Sequence, residues 1–398
     1  MQKTRFVAVV FALAGAAALA GGAAASHGGP APSAVVGHVY INDNTAPLNT
    51  VAGFDRHADG TLTPLPGSPF AVGGSGTGSP DASQGSLELS TDGRYLLAVD
   101  AGSNQVSVLR IKPDESLQSA EGSPVGSNGV DPVSIAVSGG LVYVANGGPG
   151  ANPGDTNYTG STLNPGGHLS ALPDSTYVLP NDSKPGDVLF NSDGTKLVGT
   201  RILGSQIDSF TVGNDGLLTA ATGSPFAAQG FSPTQGFGQL GSEFSPTNPA
   251  LLFVSDAHVG PPTNGPATPG IISGFADAAD GTLTLIGGSP FSNDGSASCW
   301  IEISHDGDYL FVINTASATV SSYSIASTGA LTYLHDTASG EIGAGAEDAR
   351  LSPDGSTLWV VESGTDAVTG FSVSGGTLTP LTSAAGPSGA KPSGIVVT

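Results

Sequence analysis

The sequence predicts an all-β chain: a seven-bladed β-propeller of four-stranded blades, closed by pairing of its N- and C-terminal segments. Three observations predict it. First, a unit of about 50 residues recurs along the chain: apolar strand, Asp-Gly turn, apolar strand, Gly/Asn/Asp turn, alternating strand, then Asp-Gly and a Leu-Thr strand. Second, 60 Gly and 29 Pro stand among 398 residues, and both disfavour helix interiors. Third, the two ends are complementary. His38 to Ile41 reads as a second strand with no first strand before it, and Lys391 to Thr398 as a first strand with nothing after it. Pairing them closes a ring and removes the open edges of a linear array. Six blades is the alternative count, because the third unit is irregular.

The N-terminus precedes the repeats. Lys3 and Arg5 lead into an uncharged apolar run, Phe6 to Ala20, and Ala23-Ala24-Ala25 supplies small residues for a signal peptidase. That run falls short of the ~20 residues that span a bilayer. A signal peptide over residues 1–25, a flexible mature N-terminus over 26–34 and a propeller over 35–398 are expected. The protein is then secreted, periplasmic or associated with the cell envelope of a bacterium. An N-terminal anchor retained in place is the alternative, and no other stretch approaches spanning length.

The seventh unit shows the repeat whole. Ala349 to Leu351 leads into Ser352-Pro353-Asp354-Gly355, then Leu358 to Val361, Gly364-Thr365-Asp366, Val368 to Val373 and Gly375-Gly376-Thr377-Leu378-Thr379. Pro353 presets φ for the first central position of a type I turn, and Gly355 accepts the positive φ that follows. Related turns stand at Thr91-Asp92-Gly93, Ser192-Asp193-Gly194 and His305-Asp306-Gly307, with looser versions at Ser138-Gly139-Gly140 and Pro246-Thr247-Asn248. A second signature marks the outer strand: Gly67-Ser68-Pro69-Phe70, Gly223-Ser224-Pro225-Phe226, Gly288-Ser289-Pro290-Phe291 and the variant Gly122-Ser123-Pro124-Val125.

These turns, the Leu-Val strands after them and outer strands of the type Asp59-Gly60-Thr61-Leu62-Thr63-Pro64-Leu65 resemble the lactonase family of seven-bladed propellers. That family includes bacterial 6-phosphogluconolactonase and the fungal carboxymuconate-cyclising enzyme. The resemblance spans about residues 35–398 and implies the propeller fold, a lactone-hydrolysing activity and carbohydrate metabolism. Its motifs lie in turns and packed strands, so they speak to fold more than to activity. Lactonases of this fold usually carry His at the start of the inner strands. Here those positions hold Ser86, Ser134, Asp187, Trp300 and Asp348.

Aligned on the Asp-Gly turns, the second strands end on Asp100, Arg201, Asn314 and Glu362, with Asp43, Asn146 and Asp256 at the matching places. The fold brings these ends and the inner-strand starts Asp187, Trp300 and Asp348 to one end of the channel. Asp100, Asn146, Arg201, Asp256, Trp300, Asn314, Asp348 and Glu362 are therefore the candidate ligand-binding ring. The other reading is local turn capping for each Asp and Asn, and blade packing for Trp300. Insertions at Gly147 to Ser161 and Ala257 to Gly270 fall at the same end, where they could wall a pocket or be neutral loop drift.

Two residues further along the inner strands lies a column of Glu88, Glu243, Glu302 and Arg350 between apolar neighbours. Charges among packed strands are paired or hydrated. One reading is an inter-blade pair of Arg350 with Glu302. The other is a catalytic set: Glu302, Glu88 or Asp187 activates water while Arg350 steadies a lactone oxygen. Cys299 reads as a small buried apolar residue and His305 as a solvated turn residue.

Acids outnumber bases 33 to 11, a net charge of −22. That charge excludes nucleic-acid binding through a basic face, and a phosphosugar dianion would be repelled. One Cys excludes an intramolecular disulfide. No cofactor is required, although crowded carboxylates could take a divalent cation, calcium or magnesium. The expected partner of this monomer is a small-molecule lactone or carbohydrate. Three functions stay open: an exported hydrolase of neutral lactones, a propeller that binds carbohydrate, cation or partner protein without turnover, and a structural envelope protein.

Overall fold

A computed structural model describes residues 33–148, 152–227, 238–257, 269–386 and 389–398. The expected signal peptide lies outside these residues, as do 149–151 and 258–268 of the two insertions. Among the described residues there is no α-helix, and no helix long and apolar enough to cross a membrane.

Seven antiparallel sheets form the unit Ala34–Thr398. The inner strands of blades 2 to 7 are Leu87–Leu89, Pro132–Ser138, Pro185–Phe190, Gln239–Phe244, Ser298–Ile303 and Ala346–Leu351. Each touches the inner strand of the next, and Ala346–Leu351 meets the last strand, Gly394–Val397, which in turn meets Leu87–Leu89. The ring is closed. Blade 1 is the composite: Gly394–Val397 pairs with Val35–Asn42 in the register Val39↔Val397 to Asn42↔Gly394. The closure expected from the two ends therefore holds, as does the blade count.

Apolar side chains leave both faces of the middle strands because each blade stacks on two others. One buried cluster fills each of the seven seams. Tyr40, Leu96 and Val396 meet between blades 1 and 2, and Val39, Trp359 and Ile395 between blades 7 and 1. The Asp-Gly turns form as read: Gly355 N donates to Ser352 O at 2.7 Å with φ +68° at Gly355. Asp354 Oδ1 accepts from Ser352 Oγ and Ser356 N. The Gly-Ser-Pro-Phe signature is a further short strand beside the third strand, as in Phe70–Ala71. Its serine fills the gap left in the ladder, with Ser68 Oγ accepting from Gly53 N at 2.9 Å.

The upper end of the channel, where inner strands begin and second strands finish, is plugged. Before reaching blade 2 the chain carries Ser83 and Gln84 into the axis. Gln84 N donates to Gly186 O of blade 4, its Nε2 to Ser242 O of blade 5, and its Oε1 accepts from Ile301 N of blade 6. Trp300 Nε1 donates to Ser83 O at 2.6 Å. Blades 4 to 6 lie across the ring from blade 2, so the segment crosses the axis.

Candidate functional site

The strand-end ring is built, and its members are engaged within their own blades and, at Asp100, Asn146 and Asn314, with the preceding blade through Asn49, Ser127 and Asn293. Each is buried and bonded to the third strand of the same sheet. Thr50 donates to Asp43, Ser107 to Asp100, Ser273 to Asp256 and Thr369 to Glu362. Asn146 donates to Asn157, Asn314 to Ser321, and Arg201 Nε to Asp208 at 2.7 Å. The end of the second strand lies beside the start of the third in the sheet, so a polar pair there ties the two strands together. The expectation was a ring around one mouth of the channel; the geometry shows these side chains buried in ties within and between neighbouring blades.

The inner-strand starts are equally occupied. Asp187 is 2 % exposed and accepts from Ser134 Oγ, Ser242 N and Ser242 Oγ, joining blades 3, 4 and 5. Burial pushes its carboxyl up to about 7. Asp348 accepts from Gly85 N at 3.3 Å, and burial raises it as well. Trp300 is buried and spent on the plug. Burial raises the Cys299 thiol to about 12, which leaves it unreactive.

The open chemistry lies deeper, toward the lower end of the channel and the Asp-Gly turns, where a cavity is lined by Glu88, Glu302, Arg350 and Pro353. Arg350 Nη2 meets Glu88 Oε1 at 2.9 Å, and Nη1 lies 3.6 Å from Glu302 Oε2. The expected Arg350–Glu302 pair is present, and Glu88 reaches the same guanidinium across blade 1. The Arg350 side chain is 23 % exposed, so this is a wet site. Glu302 Oε1 accepts from Leu351 N at 2.9 Å, while Oε2 is the oxygen beside Arg350. Burial raises Glu302 to about 7. Glu243 Oε2 is buried without a hydrogen-bond partner. Burial, then the charge of Glu302, lifts Glu243 well above the carboxylate range. Burial alone would lower Arg350, but Glu88 and Glu302 hold it above its ordinary value.

A cavity of about 250 Å³ opens over this column, lined by Glu88, Glu302, Arg350, His305 and Pro353. The column thus sits at the end opposite the expected mouth, because residues two steps further along an inner strand pass the plug. His305, expected as a turn residue in solvent, is on its rim. Sequence reasoning missed Gln84, which lies between repeats where no periodicity flags it. Among the described residues no three His, Cys, Asp or Glu side chains are arranged to hold a metal ion. What the column offers is a fixed cation beside one carboxyl poised near neutrality and a second, Glu243, raised by its burial.

Residues 244–396 match the family profile described as lactonase, 7-bladed beta-propeller. No curated protein matches the chain. Among solved structures, a candidate 6-phosphogluconolactonase from Bacteroides fragilis is 19 % identical with a TM-score of 0.68, over 93 % of this chain and 100 % of that one. A similar protein from Bacteroides uniformis is 18 % identical, TM-score 0.68, over 91 % and 99 %. The periplasmic gluconolactonase of Pseudomonas aeruginosa is 17 % identical, TM-score 0.68, over 91 % and 98 %. At these identities the likeness is one of fold. With the profile match, it bears out the resemblance to the lactonase family of seven-bladed propellers.

Proposed function

We propose that this lactonase-like propeller is an exported hydrolase that opens neutral, sugar-type lactones at the Glu302–Arg350 column. A carboxyl titrating near 7 beside a clamped guanidinium, in a cavity open to solvent, carries the reading. A general base is most effective when its pKa lies near the working pH.

The lactone carbonyl oxygen lies toward Arg350. Glu302 takes a proton from a water molecule as that water's oxygen bonds to the carbonyl carbon. Negative charge gathers on the former carbonyl oxygen, where the guanidinium stabilises it. The intermediate then collapses: the C=O bond re-forms, the bond to the ring oxygen breaks, and the proton held by Glu302 passes to that oxygen. The product is the open hydroxy acid, and the steps draw on protein groups and water alone. Glu88 already compensates the charge of Arg350, which favours an uncharged lactone over a phosphosugar in a chain of net charge −22.

The test is turnover of gluconolactone-type substrates. kcat/KM should rise with pH through about 7 as Glu302 ionises, and Glu302→Gln should lower it by about 10²–10⁴-fold with the melting curve retained. No turnover over a broad panel of neutral lactones overturns the proposal. Heat of binding without turnover would identify a binding propeller instead.

A further inference from the structure

The cavity over the column does not end there. Glu88 also lines a second cavity of about 260 Å³, with Thr91, Ser138, Asn191 and Ser192. Thr91 and Gly139 lead from it into a third, of about 300 Å³, whose walls include Asp92, Tyr95, Leu163, Asn164 and Pro165. Neighbouring cavities share wall residues, Glu88 for the first two and Thr91 and Gly139 for the second and third, so the three lie side by side as a candidate path. It starts at the channel axis, crosses the lower face and runs out between blades 2 and 3. Each part is near the lower bound for holding a whole small ligand, so a single sugar lactone over Arg350 leaves two parts unfilled.

The chemistry of the path is selective. Its second part offers hydroxyls and an amide. Its third adds the apolar surfaces of Leu163 and Pro165 beside Asn164. The cation next to it, Arg94, is committed: it meets Asp92 Oδ2 at 2.7 Å, donates to Pro165 O at 2.9 Å and lies 5.5 Å from the Tyr95 ring centre. Neither a phosphate nor a carboxylate finds a free counter-charge there, and Asp92, paired with Arg94, does not call for a cationic guest. Neutral polar groups over apolar patches suit a polyhydroxylated chain, whose C–H faces pack while its hydroxyls bond.

We infer that the path is a glycan-binding groove, and that the substrate is the lactone formed at the reducing end of an oligosaccharide. The lactone ring sits over Arg350 and at least two further sugar residues lie along the groove. This rests on the lactonase reading for the reacting ring, while the groove itself is a claim about binding.

The experiment compares 1,5-lactones made by oxidising glucose and the di- and trisaccharides of the β-1,4 and α-1,4 glucose series. In at least one series kcat/KM should rise about tenfold per added sugar. Thr91 and Ser192 are exposed and occupy the second position of tight turns, where most residues are accepted. Thr91→Trp and Ser192→Trp should each bring the ratio of trisaccharide to monosaccharide lactone toward one, with melting curves as controls. Equal kcat/KM at all lengths in both series overturns the groove while leaving the lactonase reading intact. Should no lactone turn over, that reading has failed, and calorimetry with the unoxidised trisaccharides decides the groove. Heat abolished by Thr91→Trp supports it, and no heat from either series overturns it.

Discussion

Arg201 shows what the strand-end side chains do. Its guanidinium meets Asp208, whose carboxylate is fully buried and also accepts from Tyr158 at 3.1 Å. Removing one partner of such a pair leaves a stranded charge, which costs about 3–5 kcal/mol. Arg201→Ala should destabilise the protein by that amount in denaturant titrations. The apolar pair Arg201→Met with Asp208→Leu should recover most of it, since a packed hydrophobic replacement is often neutral. If both variants lose equally, the pair is more than a tie. The sequence located these residues correctly along the strands. It did not give their direction, because the partner is set by the hairpin that follows and not by the ring. Glu302 and Arg350 were legible together because their strands are consecutive. The Glu88 contact was not, since blade 1 intervenes and is assembled from both chain ends.

Among the elements, the plug segment most constrains the site. Its backbone carries Gln84 to the axis, and the inner strand of blade 5 makes room with Gly241. A Cβ there would lie 2.1 Å from Gln84 Oε1 and 2.9 Å from Cys299 O. Gly241→Ala should therefore cost about 1–3 kcal/mol through overpacking. The penalty should shrink in a Gln84→Ala background, where the side-chain clash is gone, and stability measurements on the double-mutant cycle check this. Equal penalties in both backgrounds would show that Gly241 answers to backbone alone. The same element bears on chemistry. Gln84 binds Ser242 O and Ile301 N, the residues just before Glu243 and Glu302, so it fixes the spacing of two column carboxyls. None of this was visible in the repeat pattern, which describes what the blades share. A segment that occurs once and fills the space common to all of them leaves no periodic trace.

At the scale of the molecule, closure was legible because a missing strand at one end and a surplus strand at the other admit one simple solution. The same architecture dictates how stability responds to pH. Stacked blades bury carboxyls at their strand ends and along the axis. Burial raises Asp43, Asp187 and Glu302 to about 7 and Asp100 to about 6. Unfolded, such groups titrate near 4. Between about pH 4 and 7 the folded chain therefore binds more protons than the unfolded chain, and stability falls as pH rises. The exposed turn carboxylates act in the opposite sense. Hydrogen bonds, first from Ser352, hold Asp354 down to about 2, and Asp92, Asp193 and Asp306 are also lowered. Their contribution is present above the unfolded value near 4 and is lost only as pH drops toward their folded values. Self-repulsion at net charge −22 adds to the loss on the alkaline side. The melting temperature should therefore peak near pH 5 and be lower at both pH 8 and pH 3. Asp43→Asn, which replaces a raised carboxyl with a neutral isostere still able to accept from Thr50, should flatten the slope between pH 5 and 8. A melting temperature that climbs from pH 5 to pH 8 would mean that these carboxyls are ionised and paired in the folded ring, and the general base assigned to Glu302 would lose its near-neutral titration with them.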